Sequence, residues 1–193
     1  MADPYRLLYV SNIDQYKHQG HVVEAAAALR LAGVPVALDL IGPAYPPALA
    51  RLETSVNRWD PQRSWVNYHG AIPYEDLHLK YAQADLGIFA SSCENMPNIL
   101  LETMAAGLPV ACSNRGPMQE VLGDVGVYFD PEQPVEIARA LRELIDSPQL
   151  RTEMAEASYK RSLQFSWQRC AKDTFFFLAQ AALKHKASAC AAS

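Results

Sequence analysis

The sequence predicts a doubly wound α/β domain: a parallel β-sheet with helices on both faces and extra helices at its C-terminal end. Three observations carry this. Short apolar runs alternate with longer amphipathic segments from one end to the other. Runs such as Leu86-Gly87-Ile88-Phe89 are apolar throughout, as a strand covered on both faces must be. The 193 residues contain no internal repeat, low-complexity stretch or linker, and suffice to bury a full core.

The elements follow in order. Tyr5 to Val10 reads as the first strand. Val22, Val23, Ala26, Ala27 and Leu29 then recur at helical spacing, stopped by Gly33. Val34 to Ile41 is a second strand, and Pro46-Pro47 opens a second helix through Leu49, Leu52 and Val56. Trp65 to Tyr68 is a weaker third strand, Tyr74 to Ala84 a helix, and Asp85 to Ala90 a strongly apolar fourth strand. A polar loop leads into a helix from about Pro97 to Ala106, stopped by Gly107. Leu108 to Cys112 is the fifth strand, Met118 to Leu122 a short helix, and Val125 to Phe129 the last strand. From Pro134 the chain reads as helical, with breaks near Ser147-Pro148 and at Ser166, an N-cap for the final helix. The domain is expected to span residues 1–186, with 187–193 a disordered tail of small residues.

Composition narrows the function. Seventeen Lys and Arg face twenty-one Asp and Glu, for a net charge of -4, and no basic cluster stands out. Nucleic-acid binding needs concentrated positive charge and is not expected. Cys93, Cys112, Cys170 and Cys190 share no CxxC or zinc-finger spacing, which suits a reducing cytoplasm. No run approaches the ~20 apolar residues of a membrane span, and Met1-Ala2-Asp3-Pro4 does not resemble a leader. The chain is expected to be cytoplasmic.

In open α/β sheets ligands bind outside the carboxyl ends of the strands. The loops to search are therefore Ser11 to Gln19, Gly70 to Pro73, Ser91 to Asn98 and Ser113 to Met118. The third loop carries the most information. Glu94 lies in it, and Glu102 falls eight residues later in a mostly apolar helix beside Ile99, Leu101 and Met104. A dry, unpaired carboxylate there costs several kcal/mol, on the order of the penalty for any buried polar group. A ligand diol would satisfy it, and so would solvent or a local partner. The start of this helix tips the balance. Pro97 suits a first turn, and the free N–H groups there, Asn98 and Ile99 among them, suit an anion such as a diphosphate. Ribose, phosphate and sugar would then lie in order from Glu102 past the helix start to Glu94.

The run from Glu94 through Glu102 to Thr103-Met104-Ala105-Ala106-Gly107-Leu108-Pro109-Val110 resembles the E-x7-E signature of the family 4 (group 1) retaining glycosyltransferases. The resemblance spans about Tyr5 to Leu178. It implies a Rossmann-like domain, the donor-binding half of a GT-B fold, whose N-terminal acceptor domain is absent from this chain. It implies that Glu102 holds the ribose hydroxyls and that Glu94 contacts the donor sugar. Asn95-Met96-Pro97 stands where the family has Gly-Phe-Gly, and Asn95 and Met96 fall on the sugar side. The strand Tyr9-Val10-Ser11-Asn12 followed by Lys17 is similar to the family's first strand, which ends in a Gly-Arg pair and a Lys that bind the diphosphate. Ser11 and Asn12 replace the pair, Lys17 keeps the charge, and Arg115 is a candidate to supply the lost one. Backbone groups at Gly70 and Ile72 would meet the base.

By this resemblance Glu94 and Lys17 are the catalytic pair. The donor site comprises Ser11, Asn12, Lys17, Gly70, Ile72, Glu94, Asn95, Met96, Asn98, Ile99 and Glu102. The substrate would be a nucleotide diphosphate sugar, with no cofactor and no metal, since no DxD-like pair lies nearby. The chain alone is expected to bind donor without transferring sugar. A non-catalytic nucleotide-sugar-binding module with a separate partner chain is the alternative. Peripheral membrane association is expected only of the complete enzyme. Three features also have more ordinary readings. Lys17 alone would pass for a surface lysine. His18 and His21 read as capping or surface residues. For Phe175, Phe176 and Phe177 two readings stand: an aromatic surface exposed or self-associated where the N-terminal domain is absent, or burial of at least two of the rings against the domain's own core.

Overall fold

Six parallel strands form one sheet in the order β3-β2-β1-β4-β5-β6. The computed structural model describes residues 3–191, with the side chains described as far as residue 184. The strands are β1 (Tyr5–Val10), β2 (Val36–Ile41), β3 (Val66–Tyr68), β4 (Leu86–Phe89), β5 (Val110–Ser113) and β6 (Val127–Phe129). The helices are α1 (Gln19–Leu31), α2 (Pro46–Trp59), α3 (Tyr74–Gln83), α4 (Asn98–Ala105), α5 (Met118–Leu122), α6 (Pro134–Asp146), α7 (Pro148–Ser162) and α8 (Trp167–Ala191). Every strand foreseen from sequence is present, the first with the bounds expected and the other five trimmed or shifted by one or two residues.

From β1 the chain first steps outward to β2 and β3, then returns to the other side of β1 as β4. Parallel crossovers are right-handed, so helices made while stepping in opposite directions lie on opposite faces. Accordingly α1 packs on α2 and α6, whereas α4 packs on α5 and α7. The reversal between β1 and β4 leaves the loops after these two strands diverging from a crevice. Central strand residues Leu7, Leu38, Leu86 and Val110 are fully buried.

Two close approaches set the crevice. Gly42, just past β2, has φ +144°, and a Cβ there would stand 2.1 Å from the Ser11 carbonyl oxygen. Gly87 in β4 lies so close beneath α4 that a Cβ would stand 2.3 Å from Cγ2 of Thr103. Without these glycines the chain after β1 and helix α4 would both have to shift.

Several expectations need correction. Pro97 is the residue before α4, not its first turn, with φ -81° and ψ 72°. The loop after β1 contains a 3-10 turn, Gln15–Lys17, that local pattern did not reveal. It forms because the Asp14 side chain accepts from the Gln15 N–H and His18 takes a left-handed backbone, φ 53°. The chain divides into two compact units, one ending at Ser162 and one starting at Leu163. Ser166 does cap α8, accepting from the Arg169 N–H at 3.2 Å. That helix runs through Ala191, so residues 187–191 are helical where a disordered tail is expected; their alanines favour helix. Residues 192 and 193 lie outside the described ones. Phe175, Phe176 and Phe177 are 71%, 64% and 69% exposed, which departs from the reading that buries two of the rings and agrees with the exposed one.

Candidate functional site

The two loops that diverge at the crevice are tied together by polar contacts. The Ser92 N–H donates to the Tyr16 carbonyl at 2.8 Å, and a ring nitrogen of His18 meets Ser92 Oγ at 2.9 Å. Lys17 and Glu94 form an ion pair across the same gap. Lys17 is buried, not a surface lysine, and its ammonium lies 5.1 Å from the Tyr16 ring centre and 5.6 Å from that of Phe89. The Tyr9 hydroxyl donates to the Lys17 carbonyl at 2.8 Å, which fixes the turn from below. The catalytic pair expected from the motif is therefore brought together, but as partners. A buried ammonium must find a counter-charge, and Glu94 supplies it.

The remaining first-loop residues are held by Gln19. Its side-chain amide donates to Ser11 Oγ at 2.9 Å and to the Asn12 carbonyl at 2.8 Å. Ser11 is buried and Asn12 exposed. Arg115 does not reach toward Lys17; it bonds Asp130 at 2.9 Å, because the loop after β6 brings that carboxylate closer. His18 stacks on His21 with ring centres 5.3 Å apart, and His21 bonds the Pro131 carbonyl at 2.9 Å. Burial, aided by the charge of His21, pushes the His18 pKa below its usual value.

The start of α4 carries no side-chain cap. One expected free donor is absent: the Asn98 N–H is spent on the Met96 carbonyl at 2.9 Å, a turn forced by Pro97. Asn95, Met96 and the Asn98 side chain are exposed along this loop. Ile72 and Ile99 pack against one apolar cluster that includes Val10 and Leu108, which places the loop after β3 beside the start of α4. The Gly70 carbonyl accepts from Gly42 N–H at 2.9 Å.

Glu102 lines a cleft of about 490 Å³ between α3 and α4, together with Tyr74, His78, Tyr81, Ala105 and Ala106. Lys17 and Glu94 do not line this cleft, so the site has two parts on either side of the α4 start. Glu102 is half-buried rather than buried, and among the described residues it has no ion-pair partner. The Tyr74 hydroxyl donates to its Oε1 at 3.5 Å, and its Oε2 is buried without a hydrogen bond. Burial pushes its pKa up, against the pull of the Tyr74 hydroxyl. Sequence reasoning missed Gln19, Ser92, Tyr74 and Tyr81. For Ser92 no local signal exists, since its partners are more than seventy residues away. For the two tyrosines a signal was present: seven residues apart on one helix, they share a face. Among the described residues no group of three or more His, Cys, Asp or Glu could hold a metal ion, and no helix is long and apolar enough to cross a membrane.

A doubly wound parallel sheet with an acid–lysine pair at its switch point, and a second acid eight residues further on, defines a class of ligand-binding α/β domains of Rossmann type. The particular family follows from comparison. Residues 2–161 match the family described as glycosyl transferases group 1, and the chain belongs to it. It is 32% identical over 113 residues to O-antigen chain mannosyltransferase B of Escherichia coli, covering 58% of this chain and 30% of that protein. It is 28% identical over 194 residues to D-inositol 3-phosphate glycosyltransferase of Salinispora tropica, covering 94% of this chain and 39% of that one. The chain thus spans well under half the length of these relatives. Among solved structures, Anabaena HepE in complex with UDP and glucose superposes with a TM-score of 0.81 at 20% identity, covering 92% of this chain and 49% of that one, which shows the shared fold.

Proposed function

We infer that this chain is the donor-binding domain of a retaining glycosyltransferase. It would hold a nucleotide diphosphate sugar, UDP- or GDP-linked, for transfer to a hydroxyl acceptor in polysaccharide, lipopolysaccharide or glycolipid synthesis in the cytoplasm. The observation that carries this is Glu102: a half-buried carboxylate on a cleft wall with no ion-pair partner among the described residues, whose outer oxygen is held only by the exposed Tyr74 hydroxyl at 3.5 Å. Such a group calls for a ligand that donates hydrogen bonds, and a ribose diol does so. The family supports the reading, as do the relatives' names: a mannosyltransferase, and a glycosyltransferase of inositol 3-phosphate. HepE was solved with UDP and glucose.

In this reading the diphosphate lies at the uncapped start of α4, beside the positive end of its dipole. Lys17 exchanges Glu94 for the diphosphate and neutralises the departing charge. Glu94, released, turns to the donor sugar. The acceptor attacks on the face the leaving phosphate vacates, and that phosphate takes the proton. Such a step relies on positioning and charge stabilisation rather than on a strong side-chain base. Asn95, Met96 and Asn98 border the sugar, and Gly70 and Ile72 the base. The acceptor wall comes from a second domain outside this chain, and any membrane association belongs to the complete enzyme.

The test is a thermal-shift panel of UDP-, GDP- and ADP-sugars on the wild type and Glu102→Ala. Stabilisation by one nucleotide class, lost in the variant, is expected. No response to any class in the wild type would sink the proposal.

A further inference from the structure

Among the described residues, two buried side-chain polar atoms make no hydrogen bond: Glu102 Oε2 and the Tyr81 hydroxyl. Both residues line the cleft between α3 and α4. Buried polar groups are bonded in nearly all folded proteins, so a pair of orphans on one wall demands an explanation. One is an acceptor only, and the other has a donor to give. Each oxygen is shielded from solvent, so the missing partner comes from within the protein rather than from a ligand in the cleft.

The two differ in how firmly they are held. The Tyr81 ring is 7% exposed and sits in an apolar cluster with Leu8, Val10, Leu77 and Leu108. Its hydroxyl cannot move far, and the Thr103 side chain, whose own O–H is spent on the Ile99 carbonyl at 2.8 Å, stands beside it as a competing acceptor. The carboxylate of Glu102 ends in a soft sp³–sp² torsion with broad minima, and the neighbouring Ala105 and Ala106 leave it room. Tyr74, one face-repeat earlier on α3, is 75% exposed and reaches the other oxygen only at 3.5 Å. We propose that Tyr81 is a positioning residue for Glu102: its phenol O–H donates to the buried carboxylate oxygen once that carboxylate turns inward. The outer oxygen then faces the cleft, where a ligand hydroxyl replaces the weakly held Tyr74. This use of the carboxylate rests on the donor-site reading; the tyrosine–glutamate pairing itself does not. Glu75 and His78 are the other titratable residues lining the cleft. Burial raises the Glu102 pKa, and an O–H donated to a carboxylate lowers it.

The experiment follows Glu102 directly. The whole chain is labelled with ¹³C at glutamate carboxyls and titrated by NMR, with Glu102→Gln assigning the signal. Tyr81→Phe keeps the ring and its packing, and its melting curve checks that it folds. Its Glu102 midpoint is expected to rise by roughly one pH unit. An unchanged midpoint, as when the phenol is committed to Thr103 instead, overturns the pairing. Calorimetry with UDP and GDP, each against its 2′,3′-dideoxy form, supplies the second readout. Tyr81→Phe is expected to weaken the preferred ribonucleotide about tenfold, with little effect on its dideoxy form. Equal loss for both forms counts against a role through Glu102. A moved midpoint with no binding of either nucleotide leaves the pairing standing and removes the donor-site reading. Binding with an unmoved midpoint does the reverse.

Discussion

At the scale of single residues, Glu102 and the Lys17–Glu94 pair behave oppositely toward charge. Burial raises the pKa of Glu102 in the folded chain above its unfolded value. An acid raised in this way opposes folding where it is ionised, and the penalty fades as pH falls through the folded pKa toward the unfolded one. Glu102→Gln is therefore expected to melt above the wild type at neutral pH. The difference should shrink on acidification and vanish once the carboxyl is protonated in both states. Differential scanning calorimetry across pH checks this, and a lower melting point at neutral pH would count against it. The ion pair gives a second prediction. Glu94 occupies the ammonium that a diphosphate would need. Glu94→Gln should bind UDP or GDP several-fold more tightly than the wild type, and Lys17→Ala more weakly, as measured by calorimetry. Weaker nucleotide binding in both would mean that the pair only braces the loop. The two glutamates and the lysine were legible as a motif at fixed spacing. The ion pair was not, because seventy-seven residues separate its members.

At the scale of elements, the placement of Glu102 depends on how closely α4 approaches β4. Gly87 permits that approach, and a Cβ there would meet Thr103 Cγ2. Gly87→Ala is expected to cost about 1–3 kcal/mol, the usual range for overpacking. Thr103→Ser removes the opposing methyl and should recover part of the loss, which denaturant unfolding of the double variant would show. The turn that delivers β3 has its own anchor. Buried Asp60 accepts from the N–H groups of Ser64, Trp65 and Val66 and from the Ser64 hydroxyl. Burial alone would raise its pKa, but these donors hold it below its usual value. Its stabilisation is thus present above the unfolded carboxylate pKa and is lost as pH falls through the folded one. Asp60→Asn should lose about 2 kcal/mol near neutrality, with a smaller deficit in acid. Sequence periodicity exposed the helices and strands well, because burial on fixed faces repeats at fixed intervals. It did not expose the 3-10 turn at Gln15–Lys17, whose conformation rests on one side-chain cap and a left-handed His18.

At the scale of the molecule, the division at Ser162 matters most. The family match also ends there, at residue 161. The unit ending at Ser162 contains the whole sheet and every candidate site residue. A chain truncated after Ser162 is expected to melt cooperatively, within a few degrees of the full chain, and to keep the same nucleotide-dependent shift. Loss of cooperative melting would show that α8 is required for folding. For Phe175, Phe176 and Phe177 of that helix, all exposed, the sequence left burial and exposure both open. An apolar run says that a surface can be covered, not what covers it.

Alternating apolar and amphipathic segments were enough by themselves to set the parallel sheet, its helices and the loops that carry the site, since burial and backbone pairing act through short, regular intervals. The spacing of Glu94 and Glu102, and the A-x-G-x-P-V ending after them, likewise stand in the chain as written. The partners of each charged group came only with the tertiary structure: Lys17 on Glu94, Arg115 on Asp130, and Tyr74 at Glu102 with Tyr81 unbonded nearby. Such contacts join residues far apart in sequence, and a charge settles on whichever opposite group the packed backbone leaves within reach.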